Sequence, residues 1–556
     1  MTDSQSPDRA ERFPQPPPGH RDWYSFEALR ALPRIILMID KNPLSATYGC
    51  FDREFWHYRT VDFPCAMNQE FCLALAMAYA HPFPNNPYYQ NQRMRELVIA
   101  AIEFAKKSSH ADGSCDDYFP FERALGALVF STYAMTEAYQ LLDLARPDLV
   151  DFFRLRGDWL RKHNETGQLA NHQALAALAL YNVYLVTGDP VYLKSSQAFR
   201  DLTLSWQHAE GWFQEYEGAD PGYHSCSIDF LAKLYQKSGD ESLIEPLQRA
   251  VEFATYFMHP DGSYAGEYGS RNTYHFYPHG FEVMAKFSKS AARIAETFLQ
   301  RGMPERRRYY NDDNRMCAHY VYDWMQSWLD YHPERSGTLD EHRGPFTRYF
   351  DDAKILVKKT AKYYAIISLA KGGVIKVFSD DGPIYSDTGV LARTESGTVL
   401  VPHLVDDRHT IDVSALESGR IEMTGVMSKR KHQLSSPTKQ MAFRAMNLSV
   451  GRVSANLVRG TLQKILITGK PRTGVKFCRS IELTDDNITI SDKLDASGCG
   501  DRFNRLMIGS DATSIYVANS NVFQESVLLP WIDLRDHVPA LNQTRELRLP
   551  VRSLFE

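Results

Sequence analysis

The hydrophobic periodicity of this chain changes near residue 350, and this change constrains the fold more than any other feature of the sequence. Between about residues 25 and 335, apolar residues recur at positions i, i+3, i+4 and i+7, the period of amphipathic helices. After residue 350, segments such as Thr398–Leu404, Arg420–Met427 and Phe477–Ser491 alternate apolar and polar residues, as half-buried strands do. A chain that is helical first and strand-forming afterwards predicts an α+β multidomain protein.

The helical region predicts an incomplete α/α toroid. Helices alternate with Gly-containing turns that carry aromatic and acidic residues, as in Ala111–Tyr118, Glu210–Glu215 and Pro260–Glu267. We therefore predict an N-terminal tail or arm over residues 1–40, a toroid catalytic domain over 41–335 and an antiparallel β-sandwich domain over 345–556. Within the sandwich, Met446–Val453 and Thr461–Thr468 are among the predicted strands.

Composition argues against several classes of function. A net charge of -5 gives no general case for nucleic-acid binding, although a local basic cleft could still bind an acidic glycan. The eight cysteines include no CxxC and no zinc-finger spacing, which favours a reducing compartment. No apolar run reaches the roughly 18 residues of a membrane span, and the first residues do not form a signal peptide. We expect a cytoplasmic protein, or a periplasmic or secreted one if a leader was removed, without membrane partners.

The polar pair Asn171 and His172 begins an otherwise Ala- and Leu-rich helix that runs to about Tyr184. Two large polar side chains that enter a buried helix must be hydrogen-bonded or face a wet cavity, because an unpaired buried polar group is costly. They are therefore candidates for a substrate site. The alternative is a helix start in which both side chains satisfy local backbone groups.

A second candidate stretch is the junction at Gly222–Ser225, which follows an acidic, Gly-rich loop and precedes an apolar helix. Tyr223 and His224 at such a junction are well placed to point into a cleft. The alternative is a helix start capped by Ser225 with an aromatic contact beside it.

A third candidate stretch is Glu267–His279, which combines Glu267, Arg271, Tyr274 and His275 within one loop. An arginine there could bind a carboxylate through two parallel hydrogen bonds. The alternative is a polar loop between helices.

Two further groups are weaker candidates. Near the front of the chain, Trp56, His57 and Tyr58 could line a sugar subsite, or they could be structural. In the β-region, His403 and the run Asp406–His409 could reach the cleft or bind a metal, but a solvated loop explains them better. We predict no metal site and no cofactor.

At these residues the chain resembles the heparinase II/III-like polysaccharide lyases, including the oligo-alginate lyases of the same architecture. The resemblance covers about residues 45–545 and is sharpest in five segments, namely Phe51–Pro64, Tyr118–Arg123, Ala170–Gln173, Pro221–His224 and Phe477–Leu494. The family implies an incomplete α/α toroid followed by an antiparallel β-sandwich. It also implies a uronate-containing polysaccharide or oligosaccharide as the substrate, which is cleaved by β-elimination.

The resemblance also implies roles for individual residues. Asn171 and His172 would neutralise the uronate carboxylate, and Tyr223 would be the catalytic base, acid or both. Later loops of the family often add a histidine and a tyrosine. The implied catalytic residues are Tyr223, His172, Asn171 and His275, and the implied substrate-binding residues are Arg271, Tyr274, Trp56, His57, Tyr58, Glu267, His224 and His403.

Three other interpretations stay open at this stage. A glycoside hydrolase on the same toroid would use two carboxylates, for which the candidates are Asp116, Asp117, Glu122, Glu215 and Glu267. A uronate C5-epimerase would share the proton abstraction and return the proton on the other face of the sugar. A non-catalytic glycan-binding protein would tolerate the loss of Tyr223. The uronic acid polymer, endo or exo action and the oligomeric state are left open.

Overall fold

The computed structural model describes residues 14–165, 167–304, 308–309, 317–430, 436–463, 469–511 and 522–555. Within these residues, thirteen helices precede the two large sheets, and they are α1 (Asp22–Met38), α2 (Arg53–Trp56), α3 (Phe71–Ala80), α4 (Gln92–Ser108), α5 (Leu125–Leu141), α6 (Pro147–Leu160), α7 (Ala170–Thr187), α8 (Pro190–Ser205), α9 (Pro221–Ser238), α10 (Ile244–Thr255), α11 (His279–Met284), α12 (Lys289–Thr297) and α13 (Cys317–Leu329). Short strands β1 (Gln214–Glu215), β2 (Gly218–Ala219) and β3 (Arg308–Tyr309) lie between them.

The helices form two layers, which follow from their side chains. Helices α3, α5 and α7 are apolar on nearly all faces and are buried, as inner helices must be. Helix α4 buries a single stripe that includes Met94, Leu97 and Ala101, and its other face is exposed. Helices α4, α6, α8 and α10 pack against the inner helices α3, α7 and α9. This arrangement is the predicted incomplete α/α toroid.

The second part of the chain consists of antiparallel sheets. Its strands are β4 (Phe346–Phe350), β5 (Ile355–Lys359), β6 (Tyr364–Ser368), β7 (Val374–Ser379), β8 (Gly382–Asp387), β9 (Val390–Thr394), β10 (Val399–Val401), β11 (Thr410–Asp412), β12 (Arg420–Arg430), β13 (Arg472–Leu483), β14 (Ile488–Asp495), β15 (Phe503–Ile508), β16 (Phe523–Gln524), β17 (Ile532–Asp533), β18 (Glu546–Arg548) and β19 (Arg552–Ser553). Three more helices are α14 (Pro437–Met446), α15 (Ala455–Gln463) and α16 (Val538–Thr544).

Two sheets build the sandwich. One has the order β4-β5-β6-β7-β8, and the other has the order β17-β15-β9-β10-β12-β13-β14-β18, with β11 and β19 paired at its side. Side chains of both sheets, such as Ile367 and Ile375 from the first and Met423 and Ile481 from the second, share one buried cluster. The two sheets therefore pack face to face, and the predicted α+β multidomain architecture is confirmed.

The N-terminal arm predicted for residues 1–40 is partly wrong. Residues 22–38 form α1, which packs against α13 and buries Trp23, Tyr24 and Leu32. The residues before this helix are rich in proline and charge, so the sequence predicts a tail that extends too far, over the apolar stripe of α1. The first 13 residues lie outside the described part of the chain.

The strands predicted at Met446–Val453 and Thr461–Thr468 are also wrong where the structure describes them. Residues 437–453 and 455–463 are helical and form an insertion between β12 and β13. Ser436 caps α14 and Pro437 occupies its first turn, which starts a helix that continues through the alternating stretch. Residues 464–468 lie outside the described part of the chain. We call residues 436–463 the helical insertion.

The described helices include none that is both long enough and apolar enough to cross a membrane. All eight cysteines are free thiols, and six of them are buried.

Candidate active site

Asn171 is fully buried at the start of α7 and is held by a carboxylate from another element. The hairpin β1–β2 lies beside this helix start, because Tyr216 donates its backbone N–H to Gln168 O at 2.7 Å. Glu215 on the hairpin accepts two hydrogen bonds at Oε1, from the Asn171 backbone N–H at 2.9 Å and from Nδ2 at 2.8 Å. Asn171 Nδ2 carries a second N–H, and no described residue accepts it.

The other oxygen of Glu215 pairs with Arg271. Arg271 Nη1 lies 3.0 Å from Glu215 Oε2, and the guanidinium carbon lies 3.8 Å from the centre of the Tyr223 ring. Burial raises the pKa of Glu215, while the charge of Arg271 and the bonds from Asn171 oppose that shift. We call Asn171, Glu215, Arg271 and Tyr223 the Asn–Glu–Arg–Tyr cluster.

Tyr223 lies in the first turn of α9, which is fixed by a cap. Asp220 accepts the Tyr223 backbone N–H at 3.0 Å, and its other oxygen accepts the Arg271 backbone N–H at 2.8 Å. One carboxylate thus holds the helix start and the loop that carries Arg271. The Tyr223 hydroxyl has no hydrogen-bond partner among the described residues. Burial raises the pKa of Tyr223, and the positive charge of Arg271 opposes this rise.

His275 lies next to the cluster and is buried. Its ring contacts the Tyr223 ring edge-on at 5.0 Å, and its Nδ1 is hydrogen-bonded to the hydroxyl of Tyr320 on α13. Burial and the nearby Arg271 lower the pKa of His275 to about 3, so the ring is neutral at physiological pH. His275 Nε2 is buried and has no partner in the described part of the chain.

His172 follows Asn171 and is partly exposed. Its Nδ1 lies 3.0 Å from Glu165 Oε2, and its ring contacts Phe130 edge-on. The ring also lies close to Gly126 on α5, where an added Cβ would come within 3.0 Å of His172 Cε1. The described chain offers no hydrogen-bond partner for His172 Nε2.

The sandwich holds the loop that carries Arg271. Lys371 donates to the backbone oxygens of Glu267 and Gly269 and to Asn272 Oδ1, with a distance of 2.8 Å to Gly269 O. Burial lowers the pKa of Lys371 to about 7, although nearby acidic groups oppose the shift. The position of Arg271 therefore depends on contacts from both domains.

A cavity of about 540 Å³ opens between the hairpin β1–β2 and the sandwich. It is lined by residues of both domains, among them Trp212, Glu217, Ser270, His409 and Lys470. Its volume is in the range of small-ligand sites. It adjoins the cluster along the chain, because Glu217 and Ser270 flank Glu215 and Arg271.

Two of the histidines predicted to bind substrate, His224 and His403, are fully buried, and each has a fixed polar contact. His224 donates from Nε2 to Ala250 O at 2.9 Å and accepts the Phe213 N–H at Nδ1, and burial lowers its pKa to about 4. His403 Nδ1 is bonded to Thr388 O at 3.0 Å, and burial lowers the pKa of His403 to about 3.

Glu267 and Tyr274 are brought together, but as a buried pair. Tyr274 donates its hydroxyl to Glu267, whose carboxylate also lies 2.6 Å from Lys376 Nζ of the sandwich. Their contacts join the two domains, and their predicted part in substrate binding stays a prediction. Trp56, His57 and Tyr58 lie elsewhere, at α2, where Trp56 donates Nε1–H to Met38 O at 2.8 Å.

The carboxylates considered for a hydrolase are already engaged. Asp116 accepts the backbone N–H groups of Phe121 and Arg123, and Glu122 accepts those of Asp117 and Tyr118. These contacts shape the loop Asp116–Arg123. Glu215 is held by Asn171 and Arg271.

Three buried residues, Asp229, His279 and Asp323, have the spacing of metal ligands. The ammonium group of Lys233 lies among them, bonded to Asp229 and 3.3 Å from Asp323. The lysine supplies the positive charge that the two carboxylates need. These residues therefore form an internal ion-pair network between α9, α11 and α13.

Sequence reasoning missed the structural partners of the site. The sequence places Glu215 only among the candidate hydrolase carboxylates and assigns no role to Glu165, Tyr320 or Lys371. Glu215, Tyr320 and Lys371 lie at least 44 positions from their partners in the sequence, and Glu165 lies seven residues before His172, ahead of α7. The acidic hairpin Glu215–Asp220 was the one available signal.

Comparisons with known proteins identify the fold. No family model matches the chain, and no curated protein matches it by sequence. The chain shares its fold with the chondroitin AC lyase of Streptomyces coelicolor A3, whose structure was determined in complex with chondroitin sulphate. That match has a TM-score of 0.53 and 9% identity, and it covers 91% of this chain and 69% of that one.

Two other polysaccharide lyases are matched less well. A heparinase III has a TM-score of 0.40 at 10% identity, with 91% of this chain and 74% of that chain covered. A heparan sulfate lyase mutant from Pedobacter heparinus has a TM-score of 0.38 at 10% identity, with 80% and 63% covered. The fold predicted from the resemblance is thus supported by the chondroitin AC lyase match, and a shared fold does not fix a function.

Proposed function

We propose that this protein is a polysaccharide lyase that cleaves a uronate-containing polysaccharide or oligosaccharide by β-elimination. The Asn–Glu–Arg–Tyr cluster carries the proposal. It combines a buried tyrosine, a cation on the face of its ring and an amide donor held by the same carboxylate as that cation. The fold shared with a chondroitin AC lyase supports the same class of reaction.

The reaction requires a base that removes a proton from the sugar and donors that stabilise the uronate carboxylate. The proton on C5 of the uronate is removed by a base, and the electron pair of that C–H bond forms the C4–C5 double bond. The bond from C4 to the glycosidic oxygen breaks, and this oxygen leaves with its electron pair and takes up a proton. Because the intermediate charge spreads onto the uronate carboxylate, donors to that carboxylate lower the barrier.

Asn171 and His172 would supply the donors. The free N–H of Asn171 Nδ2 is fixed in direction, because the other N–H of this group is held by Glu215. His172 adds its Nε2, which donates when both ring nitrogens carry a hydrogen, because Nδ1 already faces Glu165. A donor that is oriented before the substrate binds costs no rearrangement during the reaction.

Tyr223 would transfer the proton as base, acid or both. Burial disfavours its phenolate, and the guanidinium of Arg271 on its ring offsets part of that cost. Arg271 is also near enough to the site to attract an anionic sugar, although Glu215 already balances part of its charge. The neighbouring cavity with Trp212 and Lys470 would receive adjacent sugar units.

The test is to follow ultraviolet absorbance of the unsaturated uronate product with a panel of polyuronates and their oligosaccharides. We expect absorbance to rise with at least one substrate and to be abolished in Tyr223→Phe. Tyr192→Phe is the matched control, since Tyr192 lies on the outer helix α8 and donates to Arg154 O. It should retain wild-type activity.

Other outcomes would identify the alternatives. New reducing ends without new absorbance would indicate a glycoside hydrolase. Incorporation of solvent deuterium at C5 without cleavage would indicate an epimerase. If none of these signals appears with any member of the panel, the proposed lyase activity is contradicted.

A further inference from the structure

We propose that Glu165 is a positioning residue that fixes the tautomer of His172, and that Arg459 of the sandwich domain orients Glu165. This inference deepens the proposed function, on which its catalytic meaning rests. It assigns a part in the site to the helical insertion, which the sequence had placed among the strands.

The first step is the contact between Glu165 and His172. Glu165 Oε2 lies 3.0 Å from His172 Nδ1, and both side chains are largely buried. A carboxylate oxygen only accepts hydrogen bonds, so Nδ1 carries the hydrogen. The second nitrogen, Nε2, is therefore the one that faces a substrate. In the neutral ring it is an acceptor, and in the charged ring it is a donor.

The second step is the contact between Arg459 and Glu165. Arg459 Nη1 lies 3.7 Å from Glu165 Oε1, the oxygen that His172 does not use. The other end of the guanidinium donates to Glu122 O at 2.6 Å and to Arg123 O at 2.7 Å. These two backbone contacts fix the guanidinium on the rim of the toroid. Arg459 thus belongs to one domain by sequence and to the other by its contacts.

The third step is the contact of the His172 ring with α5. Gly126 on α5 lies against the ring, because an added Cβ would lie 3.0 Å from His172 Cε1, closer than most contacts of a real Cβ. Phe130, one turn later, contacts the ring edge-on. Contacts with Glu165 and with α5 thus hold the ring of His172 in place. Because Glu165 binds Nδ1, the orientation of Nε2 is also set by that carboxylate.

The helical insertion approaches the toroid at other points as well. Arg444 pairs with Asp62, Phe443 contacts Phe119, and Arg452 lies over the ring of Phe121. Among these contacts, the Arg459 contact is the one that leads to a candidate catalytic side chain. Arg444 therefore offers a matched control within the same insertion.

The direct test is the tautomer of His172 in the full-length protein, read from long-range proton–nitrogen spectra of histidine-labelled samples. The signal is assigned by its absence in His172→Gln. At a pH where the ring is neutral, the wild type should carry its hydrogen on Nδ1. In Glu165→Met that preference should be lost, whereas Glu165→Gln, which keeps an acceptor, should retain part of it.

Arg459→Met should shift the same signal, and Arg444→Met should leave it unchanged. A wild-type ring with its hydrogen on Nε2, or a spectrum unaffected by Glu165→Met, would overturn the inference. Thermal unfolding of each variant separates this effect from a loss of folding.

Activity gives the second readout once a substrate is known. Glu165→Met should lower kcat by about 10²-fold, with a smaller change in KM, because a misoriented imidazole loses interactions made in the transition state. Glu165→Gln should recover part of that loss. If the wild type shows no elimination but the tautomer responds as expected, the proposed function fails while the positioning role of Glu165 stands.

Discussion

The guanidinium carbon of Arg271 lies 3.8 Å from the centre of the Tyr223 ring, and both residues are buried. The two residues come from different elements, α9 and the loop before α11, and Asp220 binds the backbone of each. A cation in this position favours the phenolate over the phenol. This contact is the basis of the first prediction.

Replacing Arg271 should change both the rate and its pH dependence. In Arg271→Met, we expect kcat/KM at neutral pH to fall by about 10³-fold, because a cation that offsets developing negative charge is lost. The pKa of Tyr223 should rise further, since Arg271 is the group that opposes the effect of burial. The residual activity should therefore increase with pH more steeply than in the wild type.

The control for this variant addresses the unpaired carboxylate that it leaves. Arg271→Met with Glu215→Gln removes both charges, so it should fold better than the single variant and still lack activity. A loss of rate with an unchanged pH profile would contradict an electrostatic role for Arg271.

Asn171→Ala should lower kcat strongly and the free energy of unfolding only moderately. The change removes the amide donor that the reaction would use, and we expect kcat to fall by about 10²–10³-fold. Asn182→Ala is a matched control, because Asn182 is a buried asparagine on the same helix and donates to Glu137 at 2.9 Å. The two lie eleven positions apart (182 − 171 = 11), which is about 16 Å along a helix. Both variants should lose roughly 1–3 kcal/mol of stability, and equal loss of activity in both would sink the assignment.

Gly126→Ala should lower activity with little effect on stability. Alanine favours a helix over glycine by up to about 1 kcal/mol, so α5 should not be weakened intrinsically. The new Cβ would press on His172 Cε1 at 3.0 Å and displace the ring. We expect lower kcat with little change in the unfolding midpoint. Gly460→Ala in α15 is the control, because its Cβ would meet nothing within 4 Å and activity should be kept.

His279 should make stability depend on pH. Burial and the charge of Lys233 oppose its protonation, yet the hydrogen bonds to Asp229 and Asp330 raise its pKa from 6.5 to about 9. A raised pKa stabilises the fold below the unfolded value of 6.5, and this contribution disappears as the pH rises through about 9.

The free energy of unfolding of His279→Gln should therefore differ from that of the wild type most at low pH. The shift in the pKa of His279 corresponds to about 3 kcal/mol of stability. This contribution should be present near pH 6 and absent near pH 10. Denaturant unfolding at both pH values measures it. His57→Gln, at an exposed histidine, is the control and should show no such dependence. A difference for His279→Gln that is constant across this range would disprove the linkage.

The order of the two domains and several residues of the candidate site could be predicted from the sequence, whereas the contacts between those residues could not. The change of period near residue 350 predicted the order of toroid and sandwich, since the two periods bury different sets of side chains. Asn171, Tyr223, Arg271 and His275 were all candidates, because polar residues in apolar surroundings need partners. The structure brings these four together. The role of each in catalysis stays a prediction.

His224 illustrates why the sequence could not show which candidate residues face the site. It follows Tyr223 directly, but neighbouring residues on a helix point about 100° apart, so one faces Arg271 and the other packs against Ala250. Which of the two faces the site depends on how α9 is rotated. That rotation is set by packing against α7 and α10, not by the local sequence.

The sequence by itself therefore determined the architecture and the positions along the chain where polar groups enter buried elements, because both follow from local periodicity and local polarity. Only the tertiary structure decided the partners. Glu215 joins Asn171 to Arg271, Lys371 holds the loop of Arg271, and Arg459 reaches Glu165 from the other domain. Such contacts join residues that are 44 to 294 positions apart (215 − 171 = 44 and 459 − 165 = 294). Their specificity arises from the packing of whole helices and sheets, which no local pattern encodes.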